Sequence, residues 1–420
     1  MRRAIIAGLF LISAFAAQAQ ELRGHGGPVR ALAVSSDGKM AISGSFDSTA
    51  IVWSLERGAA QSVLQFHNGS VNAVAILPDG RYVTAGEDAR IAIWKPGPSV
   101  PEIVLEGHTA PIAALAVSPD GRRLASAAWD GTVRVWPLEG GGAQVLEGHQ
   151  GNVNGVGFLP DSRVASAGYD ASLRIWSETN TPEIMRFPAP LNTLAVLPDG
   201  RVAVGGADGR LRVVDLTTKE MKEIEIGSTP VISIAIGTRR YASAVIGGVS
   251  AILSADRLEI ERTLVGPGIP VWSLAFLPNG DELLTGGGDR IIRRWNAATG
   301  ETIGPLVAGN PPDPLAGYAD DPGAQVFRAC VACHTLRPDE GLRAGPTLYG
   351  IMGRRIASVP GYPYSEAFRT LDIIWTPETV AKLFELGPHA YTPGTKMPEQ
   401  TVNRPEDREA LVRFLERVTK

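Results

Sequence analysis

Residues 22 to 308 show one repeated pattern of apolar and polar positions. Short segments such as VNAVAIL, TVRVW and SLRIW place apolar residues at every second position, which is the periodicity of half-buried β-strands. Between them recur turns in which Asp or Asn precedes a small residue, namely SSDGK, LPDGR, SPDGR, LPDSR, LPDGR and LPNGD, while one repeat has IGTRR instead. Asp bonds locally in such turns and Gly adopts a positive φ. The pattern therefore predicts short strands joined by tight turns.

The pattern has a long period as well. An aspartate six residues before a tryptophan recurs, and the distances between successive aspartates are 41, 42, 40 and 38 residues, followed by 81, which is two periods with one aspartate lost near Gly247 and Gly248. Seven four-stranded units of this kind bury their faces by packing radially, so we expect a closed seven-bladed β-propeller. The aspartates and their partners are Asp47 and Trp53, Asp88 and Trp94, Asp130 and Trp136, Asp170 and Trp176, Asp208 and Val214, and Asp289 and Trp295.

These residues resemble the WD-repeat family. LRGHGGPV, LEGHTAPI and LEGHQGNV match its Gly-His motif, and FDSTAIVW, WDGTVRVW and YDASLRIW match its Asp and Trp motif. The fifth and sixth repeats lack both the Gly-His and the Trp. The resemblance implies a buried hydrogen-bonded network of His, Ser, Asp and Trp in each blade. The best-matched sets are His25, Ser43, Asp47 and Trp53; His108, Ser126, Asp130 and Trp136; and His149, Ser166, Asp170 and Trp176.

Repeat phase also decides how the propeller histidines are interpreted. His25, His108 and His149 occupy the same position of a repeated unit, and His67 in QFHNGSV lies near it. We therefore interpret them as structural rather than as metal ligands or catalytic bases. The last outer strand could come from ELRG or from ETIGPLVAG.

The N-terminus has the features of an export signal. MRRAIIAGLFLISAFAAQAQ begins with two arginines, continues with an apolar stretch and ends in a small-x-small motif at residues 17–19. The apolar stretch is shorter than the ~20 residues that span a bilayer, so we expect cleavage after Ala19 and a mature protein that does not span a membrane. The predicted location is the bacterial periplasm.

Charge excludes one class of partner. The formal net charge is −4. Residues 321–420 carry 13 Lys and Arg against 12 Asp and Glu, a net of +1, and the signal carries +2, which leaves −7 for residues 20–320. An acidic domain repels phosphate backbones, so we expect no nucleic-acid partner.

The periodicity stops in a segment rich in proline and glycine, which we interpret as a linker over residues 309–320. Helical patterns follow it. PGAQVFRACVACH predicts a helix leading into the cysteines, and TPETVAKLFELG predicts a helix with Thr376 as N-cap and Glu378 in its first turn. RPEDREALVRFLERVTK predicts an amphipathic helix with an apolar face of Leu411, Val412, Phe414, Leu415 and Val418.

The only two cysteines of the chain lie in this region, as Cys330 and Cys333, and His334 follows directly. Cys-x-x-Cys is compatible with a redox dithiol, half of a zinc site or a haem attachment site. Zinc needs four ligands, and besides His334 only His389 lies nearby in the sequence. A thioredoxin-like site needs a preceding strand and a βαβ surround, which this helix-rich segment does not offer. The adjacent histidine favours haem, because two thiols can bond its vinyl groups while the imidazole binds the iron.

A haem iron that shuttles electrons needs a sixth ligand, and residues 321–420 contain two methionines. Met352 lies in LYGIMGRR, where core packing is the commoner role. Met397 lies in YTPGTKMPEQ, between Pro393, Gly394 and Pro398, in a setting that presents a thioether rigidly. We therefore favour Met397 as the ligand.

The motifs CVACHTL, AGPTLYGIMGRR, PGYPYSEAF, IIW and YTPGTKM resemble, in order and nearly in spacing, class I cytochromes c of the mitochondrial and c2-like type. The resemblance implies one covalently attached haem c, with His334 and Met397 as axial ligands and the Pro346 carbonyl accepting the imidazole N–H. Phe368 stands where the family has an asparagine, and the family's ring of lysines is absent. The remaining haem-binding positions implied are Cys330, Cys333, Arg354, Tyr364, Trp375 and Thr395.

Together these features predict a multidomain protein. We expect a signal peptide (1–19), an all-β seven-bladed WD-repeat propeller (20–308), a linker (309–320) and an all-α class I cytochrome c domain (321–420). The predicted function is single-electron transfer with redox partner proteins, with the propeller as a scaffold that docks a protein, and with no catalytic residues. The alternative is a haem oxidoreductase whose catalytic site lies in the propeller.

Overall fold

The computed structural model describes residues 21–303 and 315–420, apart from residues 178–180, 265, 267 and 339. The predicted signal peptide and residues 309–314 of the predicted linker lie outside this part of the chain. Between residues 21 and 303 the chain forms seven four-stranded antiparallel sheets. The first full strands of successive sheets contact one another in a closed ring. The prediction of a seven-bladed β-propeller is therefore confirmed.

Each blade takes its four strands in chain order, except the seventh. Blades 1 and 2 contain β2 (Val29–Val34), β3 (Met40–Ser45), β4 (Thr49–Ser54), β5 (Ala59–Gln65), β6 (Val71–Ile76), β7 (Tyr82–Gly86), β8 (Ile91–Trp94) and β9 (Ile103–Leu105). Blades 3 and 4 contain β10 (Ile112–Val117), β11 (Arg123–Ala128), β12 (Thr132–Pro137), β13 (Gln144–Glu147), β14 (Val153–Phe158), β15 (Val164–Gly168), β16 (Ser172–Trp176) and β17 (Glu183–Arg186). Blades 5 and 6 contain β18 (Leu191–Val196), β19 (Val202–Gly206), β20 (Arg210–Val214), β21 (Met221–Glu225), β22 (Val231–Ile236), β23 (Arg240–Val245), β24 (Ser250–Ser254) and β25 (Ile260–Leu264).

Blade 7 closes the ring with strands from both ends of the repeat region. It consists of β26 (Val271–Phe276), β27 (Glu282–Gly287) and β28 (Ile291–Asn296), with β1 (Leu22–Arg23) as its outer strand. Leu22 pairs with Ile292 and is buried. The ELRG segment thus supplies the last strand. Of the ETIGPLVAG segment the structure describes residues 301–303, in which Thr302 forms an isolated bridge with Trp295, and the rest lies outside the described residues.

The second strand of each blade is almost wholly buried, the third strand is buried at half or more of its positions, and the fourth strand is partly exposed, as in blades 1 and 3. A register shift interrupts the pairing of the first two strands at the same place in all seven blades, as between Val29 and Ala31 in blade 1. Such bulges increase the local twist. Strong twist allows the seven sheets to pack radially around one axis.

Four blades contain the expected buried network. In blade 3, Trp136 Nε1–H donates to Ser126 Oγ at 2.8 Å, and His108 joins Ser126 Oγ (2.8 Å) to Asp130 Oδ2 (2.8 Å). We assign the proton to Nδ1, which donates to the aspartate, so that Nε2 accepts from the serine hydroxyl. All buried polar atoms of the network are then satisfied. The same contacts occur in the sets His25, Ser43, Asp47 and Trp53; His67, Thr84, Asp88 and Trp94; and His149, Ser166, Asp170 and Trp176.

Blade 5 keeps its aspartate but lacks the histidine and the tryptophan of the network, and an arginine pairs with the aspartate. Arg212 is almost fully buried, and its guanidinium contacts Asp208 at 2.6 Å and Glu223 at 3.0 Å. Two carboxylates thus compensate the buried charge. The missing histidine and tryptophan account for the weak repeat signature of the blade.

Residues 315–420 form a second, largely helical region. Asp321 caps the first α-helix, and Thr376 caps the third through a capping box with Thr379, as the sequence predicted for Thr376. No β-strand occurs among the described residues of this region, although Arg355 and Ile374 form an isolated bridge. The helices are a 3-10 turn (Ala316–Tyr318), α1 (Pro322–Phe327), α2 (Glu366–Arg369), α3 (Pro377–Leu386), α4 (Pro388–Tyr391) and α5 (Pro405–Val418).

The helical region has a hydrophobic core of its own, centred on α5. Phe414 is fully buried between Tyr318 and Phe327, with ring centroids 5.4 and 5.7 Å apart. α1 crosses α5 closely at Gly323, where a Cβ would overlap the Ala410 carbonyl oxygen. The predicted apolar face of α5 is buried at four of its five positions, and Val418 is half-buried. Among the described residues, no helix is both long enough and apolar enough to cross a membrane.

Candidate functional site

A large cavity lies in the helical region and brings together the chemistry-bearing residues that the sequence singles out. Cys330, Cys333, His334 and Met397 all line it. Its empty space, which includes solvent at the mouth of the cavity, is about 1370 Å³. Most of the remaining walls are apolar and come from all parts of the region, as with Leu348, Ile351, Phe368, Val380, Leu383, Phe384, Leu411 and Leu415.

The turn after α1 places both cysteines and the histidine on one wall. The Cys330 N–H donates to the Phe327 carbonyl at 2.8 Å, and the N–H groups of Cys333 and His334 both donate to the Cys330 carbonyl, at 3.1 and 3.0 Å. The two thiols form no disulfide. Burial raises the pKa of Cys330 to about 11 and that of Cys333 to about 12, so both are neutral thiols near pH 7.

The imidazole of His334 is oriented by the chain that follows it. Its Nδ1–H donates to the Pro346 carbonyl at 2.7 Å, and burial lowers its pKa, which keeps the ring neutral. Since Nδ1 is engaged, Nε2 is the nitrogen available to a metal. Gly345 permits this approach, because a Cβ there would lie 2.6 Å from His334 Cε1 and 2.9 Å from the Cys333 carbonyl oxygen.

Met397 reaches the cavity on a loop fixed by threonines. Thr395 Oγ1 accepts from the Met397 N–H at 3.1 Å, and Thr392 Oγ1 donates to the Pro388 carbonyl at 2.8 Å. Met352 packs against the hydrophobic core and is absent from the described residues that line the cavity. The loop thus brings Met397, rather than Met352, to the cavity that holds His334.

The remaining predicted residues also line the cavity. Arg354 donates to the carbonyls of Thr347 and Tyr349, both at 2.7 Å. These bonds fix its guanidinium on the wall. Pro346, Tyr364, Trp375 and Thr395 lie among the other lining residues.

The described histidines outside this cavity offer no second centre. The four in the propeller belong to the blade networks, and His389 is an exposed residue whose Nδ1 lies 3.2 Å from Glu399. Within the described part of the chain, no group of three or more His, Cys, Asp or Glu residues is arranged to hold a metal ion.

Sequence reasoning missed two parts of the site. The only sequence signal for Gly345 is its place directly before the proline of the AGPTL motif. The other part is the propeller itself, since Asp47, Thr49 and Gln65 of blade 1 also line the cavity. Repeat phase explains Asp47 as a blade residue, which conceals its second location.

Comparison with known proteins finds similarity to two families. The WD domain, G-beta repeat family matches residues 17–54, 58–95, 99–137, 142–177 and 258–296. Cytochrome c of Cochliobolus lunatus is 42% identical over 99 residues, which are 23% of this chain and 91% of that protein. The chain belongs to the cytochrome c family. Cytochrome c of Arabidopsis thaliana is also 42% identical over 99 residues, 88% of its length, and that of Gibberella zeae is 37% identical over 107 residues, its full length.

The two similarities cover different shares of the chain. The cytochrome c similarity covers about a quarter of it, and the sequence motifs that resemble cytochromes c lie in the helical region. The WD40 matches include blades 1 to 4 and end in blade 7, while the matched segments omit most of blades 5 and 6, where the sequence lacks the Gly-His and Trp positions.

Proposed function

We propose that this chain is an exported, periplasmic monohaem cytochrome that transfers single electrons, and that residues 321–420 form a class I cytochrome c domain. The observation that carries the proposal is one apolar cavity lined by Cys330, Cys333, His334 and Met397. Export rests on the sequence of residues 1–19 and suits c-type haem, which is attached outside the bacterial cytoplasm.

The residues of the cavity fit a covalently attached haem. Cys330 and Cys333 would form the thioethers, and His334 Nε2 and the Met397 sulfur would be the axial ligands. A haem held there supplies a one-electron iron couple. Pro346 fixes the imidazole plane, and the apolar walls exclude water from the iron, which favours a raised potential. Arg354, Tyr364 and Trp375 would surround the haem propionates.

Two protein ligands, His334 and Met397, would favour electron transfer over oxygen chemistry, because a haem held by both would have no coordination position left for O2. We propose that the propeller acts as a scaffold that docks proteins and that redox partner proteins exchange electrons with the haem. The propeller histidines support this reading over catalysis in the propeller, because their ring nitrogens are engaged within the blades.

The test is to purify the protein from a host that matures cytochromes c. We expect one covalent haem per chain, a reducible low-spin spectrum and the weak far-red band of methionine-bound ferric iron. Met397→Ala should abolish that band, whereas the matched control Met352→Ala should retain it. Loss of the band in the control alone would refute the ligand assignment. A second chromophore, or turnover of nitrite or an alcohol, would favour the oxidoreductase alternative.

A further inference from the structure

The propeller closes one side of the haem cavity. Asp47, Thr49 and Gln65 line it together with residues of the helical region. Beside it, a second cleft is bordered by Phe46 and Asn68 of the propeller and by Lys396 and Met397. Blade 1 and the loop that leads into blade 2 therefore border the cavity and the cleft beside it.

Directional hydrogen bonds join the two regions here. The Ala344 N–H donates to the Gly24 carbonyl at 2.8 Å, and Gln65 Nε2 donates to the Ala344 carbonyl at 2.9 Å and to the Tyr362 hydroxyl oxygen at 2.6 Å. Lys396 Nζ donates to the carbonyl of His67. The contacted segment of the helical region, around Ala344, directly precedes Gly345 and Pro346, which position the axial histidine.

The propeller sequence departs from its own repeat where the propeller contacts the helical region. The residue after the network histidine is Asn68, Thr109 or Gln150 in three repeats, but it is Gly26 in the first. Gly26 has no positive φ that would require glycine, yet a Cβ there would overlap the Cys333 sulfur. Close approach of Cys333 thus accounts for this glycine.

Gln65 departs from the repeat in the same way. It pairs with Thr49 in the register in which Glu147 pairs with Thr132. A carboxylate at position 65 would face the Ala344 carbonyl oxygen, and two acceptors repel each other. The amide of Gln65 donates instead. Two substitutions that the propeller fold does not require therefore both serve the contact.

We propose that the docking face, defined as Gly24, Gly26, Asp47, Gln65 and His67, is a binding site for the helical region of the same chain. In the docked arrangement it covers the Cys333 side of the haem pocket, so that other proteins cannot reach that side until the two regions separate. The shielding of haem rests on the proposed function, whereas the docking rests on the contacts alone. One protein partner of the propeller is thus the chain's own C-terminal region.

The experiment uses the full-length chain and two matched pairs of variants. Gly26→Thr introduces the residue of blade 3 at the same phase, with Thr109→Gly as its control. Gln65→Glu introduces the carboxylate of blade 3, with Glu147→Gln as its control. Both test residues already occur at equivalent positions of this propeller, so the blades should fold. Thermal unfolding of the propeller checks that they do.

Two readouts separate docking from shielding. Amide hydrogen exchange at Ala344 reports docking without regard to haem, and it should accelerate about tenfold or more in both test variants and in neither control. The rate of haem reduction by reduced flavodoxin, a protein that must dock, should rise several-fold in the same variants. The rate with dithionite, a small reductant, should change much less.

Unchanged exchange at Ala344 in Gly26→Thr and Gln65→Glu would overturn the docking site. Accelerated exchange with an unchanged flavodoxin rate, or with equal changes for both reductants, would overturn the shielding. A purified chain without haem would refute the proposed function, and the exchange measurement on that chain would still decide the docking.

Discussion

Gly345→Ala tests whether the backbone beside His334 is built around the imidazole of that residue. The added Cβ would lie 2.6 Å from His334 Cε1, 2.8 Å from Nδ1 and 2.9 Å from the Cys333 carbonyl oxygen. The backbone oxygen has little room to yield, so the ring must move. Moving it stretches the 2.7 Å bond from Nδ1 to the Pro346 carbonyl.

The expected magnitude follows from these contacts. Overpacking of a filled site costs about 1–3 kcal/mol, and the loss of one neutral hydrogen bond costs about 0.5–1.5 kcal/mol. The two costs are alternatives, because displacing the ring relieves the overlap at the expense of the bond. We therefore expect the free energy of unfolding of the helical region to fall by about 1–3 kcal/mol. We also expect a weakened low-spin spectrum.

The assay is guanidinium unfolding of the haem-loaded chain, followed at the Soret band. Gly317→Ala is the control, since a Cβ at Gly317 meets nothing within 4 Å and no positive φ requires glycine there. If Gly345→Ala unfolds at the midpoint of the control and keeps the wild-type spectrum, then Gly345 does not position the imidazole.

Two further predictions concern the blade networks. Ser126→Ala should lower propeller stability by about 2–6 kcal/mol, because two buried groups, His108 Nε2 and Trp136 Nε1, lose their partner at ~1–3 kcal/mol each. Ser36→Ala, at an exposed position, is the control, and equal urea midpoints of the two variants would contradict the reasoning. Burial and Arg134 lower the pKa of His108, and Asp130 has the opposite effect. Below about pH 6.5 the unfolded chain therefore binds a proton at this residue that the folded chain does not bind. For this site, stability should fall from pH 7 to 5 by at most ~1.4 kcal/mol per pH unit. The pKa of Asp130 is also lowered, but its stabilising contribution is lost only below about pH 4. His108→Asn should flatten the dependence between pH 7 and 5, and an unchanged slope in urea titrations would count against a neutral folded histidine.

The sequence predicted the features that each depend on a local rule. Propeller blades repeat, so the phase of Asp130 and Trp136 identifies the network before any coordinates exist. The same holds for Thr376, whose cap needs only the residues that follow it. Where blade 5 lacks the histidine and has Val214 at the tryptophan position, the phase remains but the motif does not, and the blade boundaries could not be read from it.

Closure of the ring needed the structure for a different reason. ELRG and ETIGPLVAG both have strand-like composition, and nothing local decides between them. The choice depends on which segment can pair with β28, and Leu22 buries its side chain there opposite Ile292. Pairing between residues so distant along the chain is a tertiary property.

The docking face explains why a residue can be interpreted correctly and still incompletely. Asp47 belongs to the network of blade 1, where it accepts from His25 and from the Gly26 N–H, and it also lines the haem cavity. Asp47 has the residue type of its repeat position, so its identity does not reveal the second role. That role becomes visible only when other equivalent positions of the blades are compared. A glycine without positive φ at residue 26 and an amide in place of glutamate at residue 65 are differences that the propeller does not need, so they indicate a contact outside it. In a repeat protein, departures from the internal consensus that preserve the fold are therefore the sequence signal for a partner, and here that partner lies in the same chain.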